Sequence, residues 1–249
     1  MASLDFLLAD LVTANRILSR EGVVDGLGHI SVRHPDRPDR FFMSRARAPE
    51  CIELQDIMEF ELDGTPVDAS RGRPYNERFI HGAIFAARED VRSVVHSHSH
   101  AVIPFAGTDV PLRPVHHICS AIGATVPVYD PATLWGDTDI LVTDLTKGKA
   151  LANVLGGGTT ALMTAHGATV AGASIRHAVF LAIHLELNAQ LQLDMLRLGR
   201  PIRYLSPGEI ELITRWMTPD KMGEGLDRMW ERWCLRADVP FTPNQARVI

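Results

Sequence analysis

The stretch Val94-Val95-His96-Ser97-His98-Ser99-His100 constrains this chain more than any other. Two valines lead into alternating imidazoles and hydroxyls, the pattern of an apolar strand whose end becomes polar. Side chains on a strand alternate, so His96 and His98 share a face, with Cα atoms roughly 7 Å apart. Two imidazoles at that spacing can converge on one divalent ion at roughly 2.0–2.1 Å each. A lone histidine is more often a hydrogen-bonded structural residue, whereas H-x-H running from an apolar strand into a turn reads as half of a metal site. The missing ligand has to come from another strand end. His166, in Leu162-Met163-Thr164-Ala165-His166-Gly167, fits that role, because Gly167 lets the backbone turn sharply.

Of the eleven histidines, five fall between His96 and His117. His177 and His184 lie seven apart in a long helical pattern and share a face, which suits packing or an interface. His34 and His81 carry no signal of their own. Glu77 precedes Ile80 and Ile84 by three and seven residues, so its carboxylate projects from the apolar face of its own helix. A first-turn glutamate is favoured there by the helix dipole alone. Beside a metal, the same carboxylate is what proton transfer requires.

The rest of the chain alternates short strand and helix patterns. A helix begins after Ser3 as N-cap, with Leu7, Leu11, Ala14 and Leu18 on one face. Strands are expected at 29–32, 41–44 and 58–62, the last closing on the Asp63-Gly64 turn, and again at 91–98, 140–143 and 161–164. Asn76 is the expected cap of the helix carrying Ile80, Ala83, Ile84 and Ala87. A long helix is expected over 175–198, and the tail with Trp216, Trp230 and Trp233 reads as helical, suited to a partner subunit. No linker or repeat divides residues 1–249, so one layered α/β domain is expected.

Hydrophobic residues make up 46% of the chain, with 25 Lys+Arg against 30 Asp+Glu. That acidic balance offers no basic stripe for nucleic acid. No apolar run approaches the roughly 20 residues of a membrane helix, and Cys51, Cys119 and Cys234 form no C-x-x-C pair. A cytoplasmic location is expected.

Glu77, then His96-x-His98 nineteen residues on, then His166-Gly167, together with Pro114-Val115-His116-His117-Ile118-Cys119-Ser120-Ala121-Ile122-Gly123, resembles the class II aldolase/adducin family. The resemblance runs from the helix before Gly28-His29-Ile30-Ser31-Val32-Arg33 to the long helix after His166. It implies a three-layer α/β/α subunit with a mixed, largely antiparallel central sheet, and a homotetramer with active sites at subunit interfaces. It also implies a divalent metal, Zn²⁺ or Mn²⁺ (Co²⁺ or Fe²⁺ as alternatives), held by His96, His98 and His166, with Glu77 as acid/base.

Sugar-phosphate aldolases of that family carry Asn in a G-N-x-S motif, Thr-Gly after the second strand and Ser-Ser before the glutamate. Here the corresponding positions are His29, Ser44-Arg45 and Tyr75-Asn76, so most of a phosphate cradle is missing. The run Ser44-Arg45-Ala46-Arg47-Ala48-Pro49-Glu50 is instead similar to the branch that decarboxylates hydroxyaromatic acids. That similarity implies a small hydroxy-acid substrate, with His29, Ser44, Arg45 and Arg47 around its carboxylates. His117 stands where the aldolases place a proton-donating tyrosine. A class II aldolase or a retro-aldol epimerase on an unphosphorylated carbonyl compound is the alternative activity. A non-catalytic adducin-like interaction module is the alternative class.

Overall fold

Seven strands form one sheet in the order β3-β2-β1-β4-β7-β6-β5. They are β1 (His29–Arg33), β2 (Arg40–Ser44), β3 (Ile57–Glu61), β4 (Ser93–Ser97), β5 (Val128–Tyr129), β6 (Thr160–Met163) and β7 (Gly167–Gly172). Every neighbouring pair is antiparallel except β5–β6, which is parallel. The computed structural model describes residues 4–243, so Ser3, the expected first cap, lies outside the described residues.

Alternation along the strands divides the core in two. Ile30, Val32, Phe42, Val95, Leu162 and Val170 face one side, where α1 (Leu4–Arg20), α6 (Ile175–Arg197) and α8 (Pro219–Arg236) pack. Phe41, Met43, Phe60, Val94, Ala161, Met163 and Ala171 face the other, under α2 (Arg78–Ala87) and α5 (Leu145–Leu155). This is the three-layer α/β/α arrangement, with each sheet face dry. Short helices α3 (Ile103–Ala106) and α4 (Ala132–Trp135) lie in the connections, and α7 (Pro207–Thr214) precedes α8.

Several expectations need correction. Residues 140–143 form no strand; Ile140 has φ of 56°, outside the extended region, and helix α5 follows at once. β5 and β7 had no legible pattern, because β5 is two residues long and β7 is Gly-Ala-Thr-Val-Ala-Gly, buried at every position. Glu77, not Asn76, is the N-cap residue of α2. The tail does not wait for a partner: Trp230 and Trp233 are buried in the core of their own chain, on α8, while Trp216 is exposed.

Gly167 is not the turn residue either. The positive φ of the β6–β7 hairpin falls on Ala165, at 53°. Gly167 opens β7 against β4, where a Cβ would meet the Ser97 carbonyl oxygen at 1.9 Å. A glycine is needed there because two backbones touch.

Candidate metal centre

Register brings the site together at one end of the sheet, on the α2 face. His96 shares that face with Val94, pairs across β1–β4 with His29, and is fully buried. His98 lies one step beyond the end of β4, and the β6–β7 turn carries His166 to meet it. Glu77 enters from the start of α2. The ligating atoms of Glu77, His96, His98 and His166 all lie within 4.8 Å of one another. Glu77 Oε2 is 3.6 Å from His96 Nε2 and 3.4 Å from His166 Nε2.

Hydrogen bonds behind the rings aim them. His96 Nδ1–H donates to the Ala168 carbonyl at 3.2 Å, and His98 Nδ1–H donates to the Asp25 carboxylate at 3.1 Å. Each ring therefore presents an unprotonated Nε2 toward the common point. Asp25 is itself held by the amides of Leu27 and Gly28. The Glu77 side chain does not cap its own helix; its Oε1 accepts the Val142 amide at 2.8 Å.

Burial pushes the His96 pKa down to about 3, against the opposing pull of Glu77. Burial pushes Glu77 the other way, but His166, His96 and the Val142 amide outweigh it and bring the carboxyl down to about 2. At neutral pH the site thus offers the neutral His96 imidazole and the Glu77 carboxylate. Buried His96 Nε2 and both nitrogens of His166 have no hydrogen-bond partner among the described residues. Orphaned buried nitrogens cost free energy unless something binds them. A divalent cation would take up His96 Nε2 and one nitrogen of His166, and a set of three imidazoles and a carboxylate suits Zn²⁺, Mn²⁺, Co²⁺ or Fe²⁺.

The cluster opens on a cleft of about 470 Å³ whose lining includes His29, Arg47, Arg73, Tyr75, Glu77, His98 and His166. Of the residues expected around a substrate carboxylate, His29 and Arg47 reach this cleft. Ser44 is fully buried, and Ser44 and Arg45 are not part of its lining. Arg45 and Arg47 are not a free surface pair: Arg45 Nε and Arg47 NH1 each donate to the buried Asp56 carboxylate at 2.6 Å. Arg73, a residue without a signal in the sequence, lines the cleft with no ion pair among the described residues. His117, itself exposed, begins a 3-10 turn (His117–Ile122), its ring 4.7 Å from that of His116, and does not line the cleft of its own protomer.

Asp25, Asp56 and His81 were missed as well. His81, which carried no signal of its own in the sequence, lies between Ile80 and Ile84 on the buried side of α2. His177 and His184 take packing roles. His177 Nδ1 accepts the Ala173 amide, and His184 Nδ1–H donates to the Phe180 carbonyl.

A seven-stranded α/β/α subunit with three histidines and a glutamate gathered at one sheet end defines a class II aldolase-like protein. Residues 9–193 match the Class II Aldolase and Adducin N-terminal domain, and the chain belongs to that family. It is similar to Decarboxylase tropJ of Talaromyces stipitatus, 38% identical over 194 residues covering 73% of each chain. It is also similar to 3,4-dihydroxyphthalate decarboxylase of Arthrobacter keyseri, 27% identical over 80% of this chain and 83% of that one. An aldolase II superfamily protein from Pseudomonas syringae shares the fold, with a TM-score of 0.79 at 22% identity over 96% of this chain and 94% of that one.

Proposed function

We propose that the protein is a metal-dependent carbon–carbon lyase that decarboxylates a small hydroxyaromatic acid. The observation that carries this reading is the pairing of the glutamate–histidine cluster with a cleft whose lining, among the described residues, holds Arg47 and Arg73 and no serine or threonine. The kinship with decarboxylases supports it. His96, His98 and His166 hold the metal, with Glu77 beside them. A divalent ion bound there supplies Lewis acidity for the electron pair left on carbon when CO₂ departs.

The chain's own groups do the rest. Arg47 and Arg73 orient the carboxylate by charged hydrogen bonds. Glu77 is ionised at neutral pH and so does not supply the carbon's proton. The proton for the carbon released by CO₂ comes from elsewhere, and His117 of a neighbouring subunit is the proposed donor, its imidazole lying exposed at the start of a turn. In that assembly the protein is a homo-oligomer, a tetramer by family analogy.

The test is a screen of metal-supplemented enzyme against hydroxyaromatic acids and sugar phosphates. CO₂ release from a hydroxyaromatic acid, dependent on His96, His98 and His166, is expected. Efficient cleavage of a sugar phosphate with no acid decarboxylated would overturn the reading in favour of an aldolase.

A further inference from the structure

Behind the cleft, three polar side chains form a chain that the chemistry above does not use. His29 Nδ1 lies 2.7 Å from His81 Nε2, and His81 Nδ1 lies 2.6 Å from Ser31 Oγ. All three are buried, His81 and Ser31 completely. The sheet places them: His29 and Ser31 alternate onto the α2 face of β1, opposite His96 and Val94 of β4, and His81 descends from α2 between them. With Nδ1 facing His81, His29 keeps Nε2 as its polar atom for the cleft it lines.

The polarity of the chain follows from its far end. The Val94 carbonyl, a group that can only accept, bears on His81 and favours a proton on its ring. Val94 is the cross-strand partner of Ser31, so the proton sits on His81 Nδ1, at that end of the ring. A second proton on His81 would leave an imidazolium in a fully enclosed site whose adjoining partners are a hydroxyl, a carbonyl and another imidazole, which is costly. Burial accordingly pushes the His81 pKa down to about 3. His81 Nε2 is then a lone pair, and His29 Nδ1 must donate to it.

We propose that Ser31 and His81 are a positioning pair that holds His29 as the Nδ1–H tautomer, so that its Nε2 offers the cleft a hydrogen-bond acceptor. An acceptor selects a donor. A hydroxyl fits it, whereas a carboxylate or phosphate oxygen would set lone pair against lone pair. His29 thus reads the substrate's hydroxyl, and Arg47 and Arg73 read its carboxylate. The tautomer stands on hydrogen bonding alone; the hydroxyl rests on the hydroxyaromatic reading above.

The experiment is long-range ¹H–¹⁵N correlation spectroscopy on the full chain labelled with ¹⁵N-histidine, with and without added zinc, His29 being assigned by its loss in His29→Gln. The expected result is protonated Nδ1 and bare Nε2 on His29 in both samples. His81→Phe removes the acceptor and should release His29 toward the Nε2–H form. Should that variant not fold, His81→Gln, whose amide supplies both an acceptor and a donor, should retain the Nδ1–H form. An Nε2–H signature in the unaltered protein, an unchanged tautomer in folded His81→Phe, or a reversed one in His81→Gln overturns the proposal.

Salicylate and its methyl ether, 2-methoxybenzoate, then test the selection. The unaltered protein should favour salicylate about tenfold, roughly one hydrogen bond, and His81→Phe should lose that preference. If neither acid binds while the His29 signature is intact, the hydroxyl ligand fails together with the hydroxyaromatic reading, and the tautomer stands.

Discussion

Two residues decide what the guanidinium groups and the metal site are worth. Asp25 touches no ligating atom directly but fixes the tautomer of His98, whose side chain is 18% exposed. Losing such an outer partner typically weakens metal affinity by roughly 10–100-fold. Asp25→Asn is expected to do so, as measured by competitive metal titration, with little change in Tm because Asp25 is exposed. A metal Kd unchanged in Asp25→Asn would mean that His98 is aimed by packing alone. Arg45 and Arg73 should separate in the opposite way. Arg45→Ala takes one of two guanidinium partners from buried Asp56, which should cost stability by about 1–3 kcal/mol. Arg73→Ala touches no ion pair and should leave Tm alone while raising KM for the acid. Equal Tm losses in the two variants would argue against this division of labour.

At the scale of elements, the site depends on how closely β4 and β7 approach. Gly167→Ala would push the strands apart at the Ser97 carbonyl, and with them His96, His98 and His166. Overpacking of that kind costs about 1–3 kcal/mol. Both a lower Tm and loss of bound metal are expected, whereas metal retained at full stoichiometry would show that the hairpin can shift without the ligands. The start of α6 supplies a pH prediction. Burial pushes the His177 pKa from 6.5 down to about 4, and its Nδ1 accepts the Ala173 amide. The unfolded chain therefore binds a proton between about pH 6.5 and 4 that the folded chain refuses, so stability rises with pH across that window. His177→Gln, which can accept the same amide without titrating, should flatten the Tm profile between pH 4 and 6.5 and leave it unchanged above. A profile as steep as before would assign the acid sensitivity elsewhere.

The same elements show what was legible in the sequence. His96 and His98 declared themselves because a strand's period of two puts them on one face, and His166 because it follows an apolar run. β7 was hidden by its own burial: Gly-Ala-Thr-Val-Ala-Gly has no polar alternation, as expected of a strand covered on both faces. Asp25, Asp56 and Arg73 sit in connections between strands and helices, where no period exists to expose them, and the partner of Asp25, His98, lies 73 residues away.

The whole molecule raises the question of where the proton donor is. His117 starts a turn that packs against α6 and α7, away from the cleft of its own chain. Around α7, Leu198, Leu212 and Trp216 are exposed, at 75%, 60% and 72%. Apolar side chains so near the His117 turn suit burial against another copy, which would carry His117 to a neighbour's cleft. If so, two inactive variants should complement each other. His117→Ala keeps the metal set and lacks the donor, while His96→Ala lacks the metal set and keeps the donor. Equal parts of the two, unfolded and reassembled together, should make about one quarter of the interface sites complete, since each site draws its two halves from different protomers at random. Activity should return toward that fraction of the unaltered enzyme, and sedimentation should show an oligomer. Mixed oligomers proven to contain both variants yet still inactive would place His117 outside the reaction, and the carbon's proton would then have to come from within one protomer.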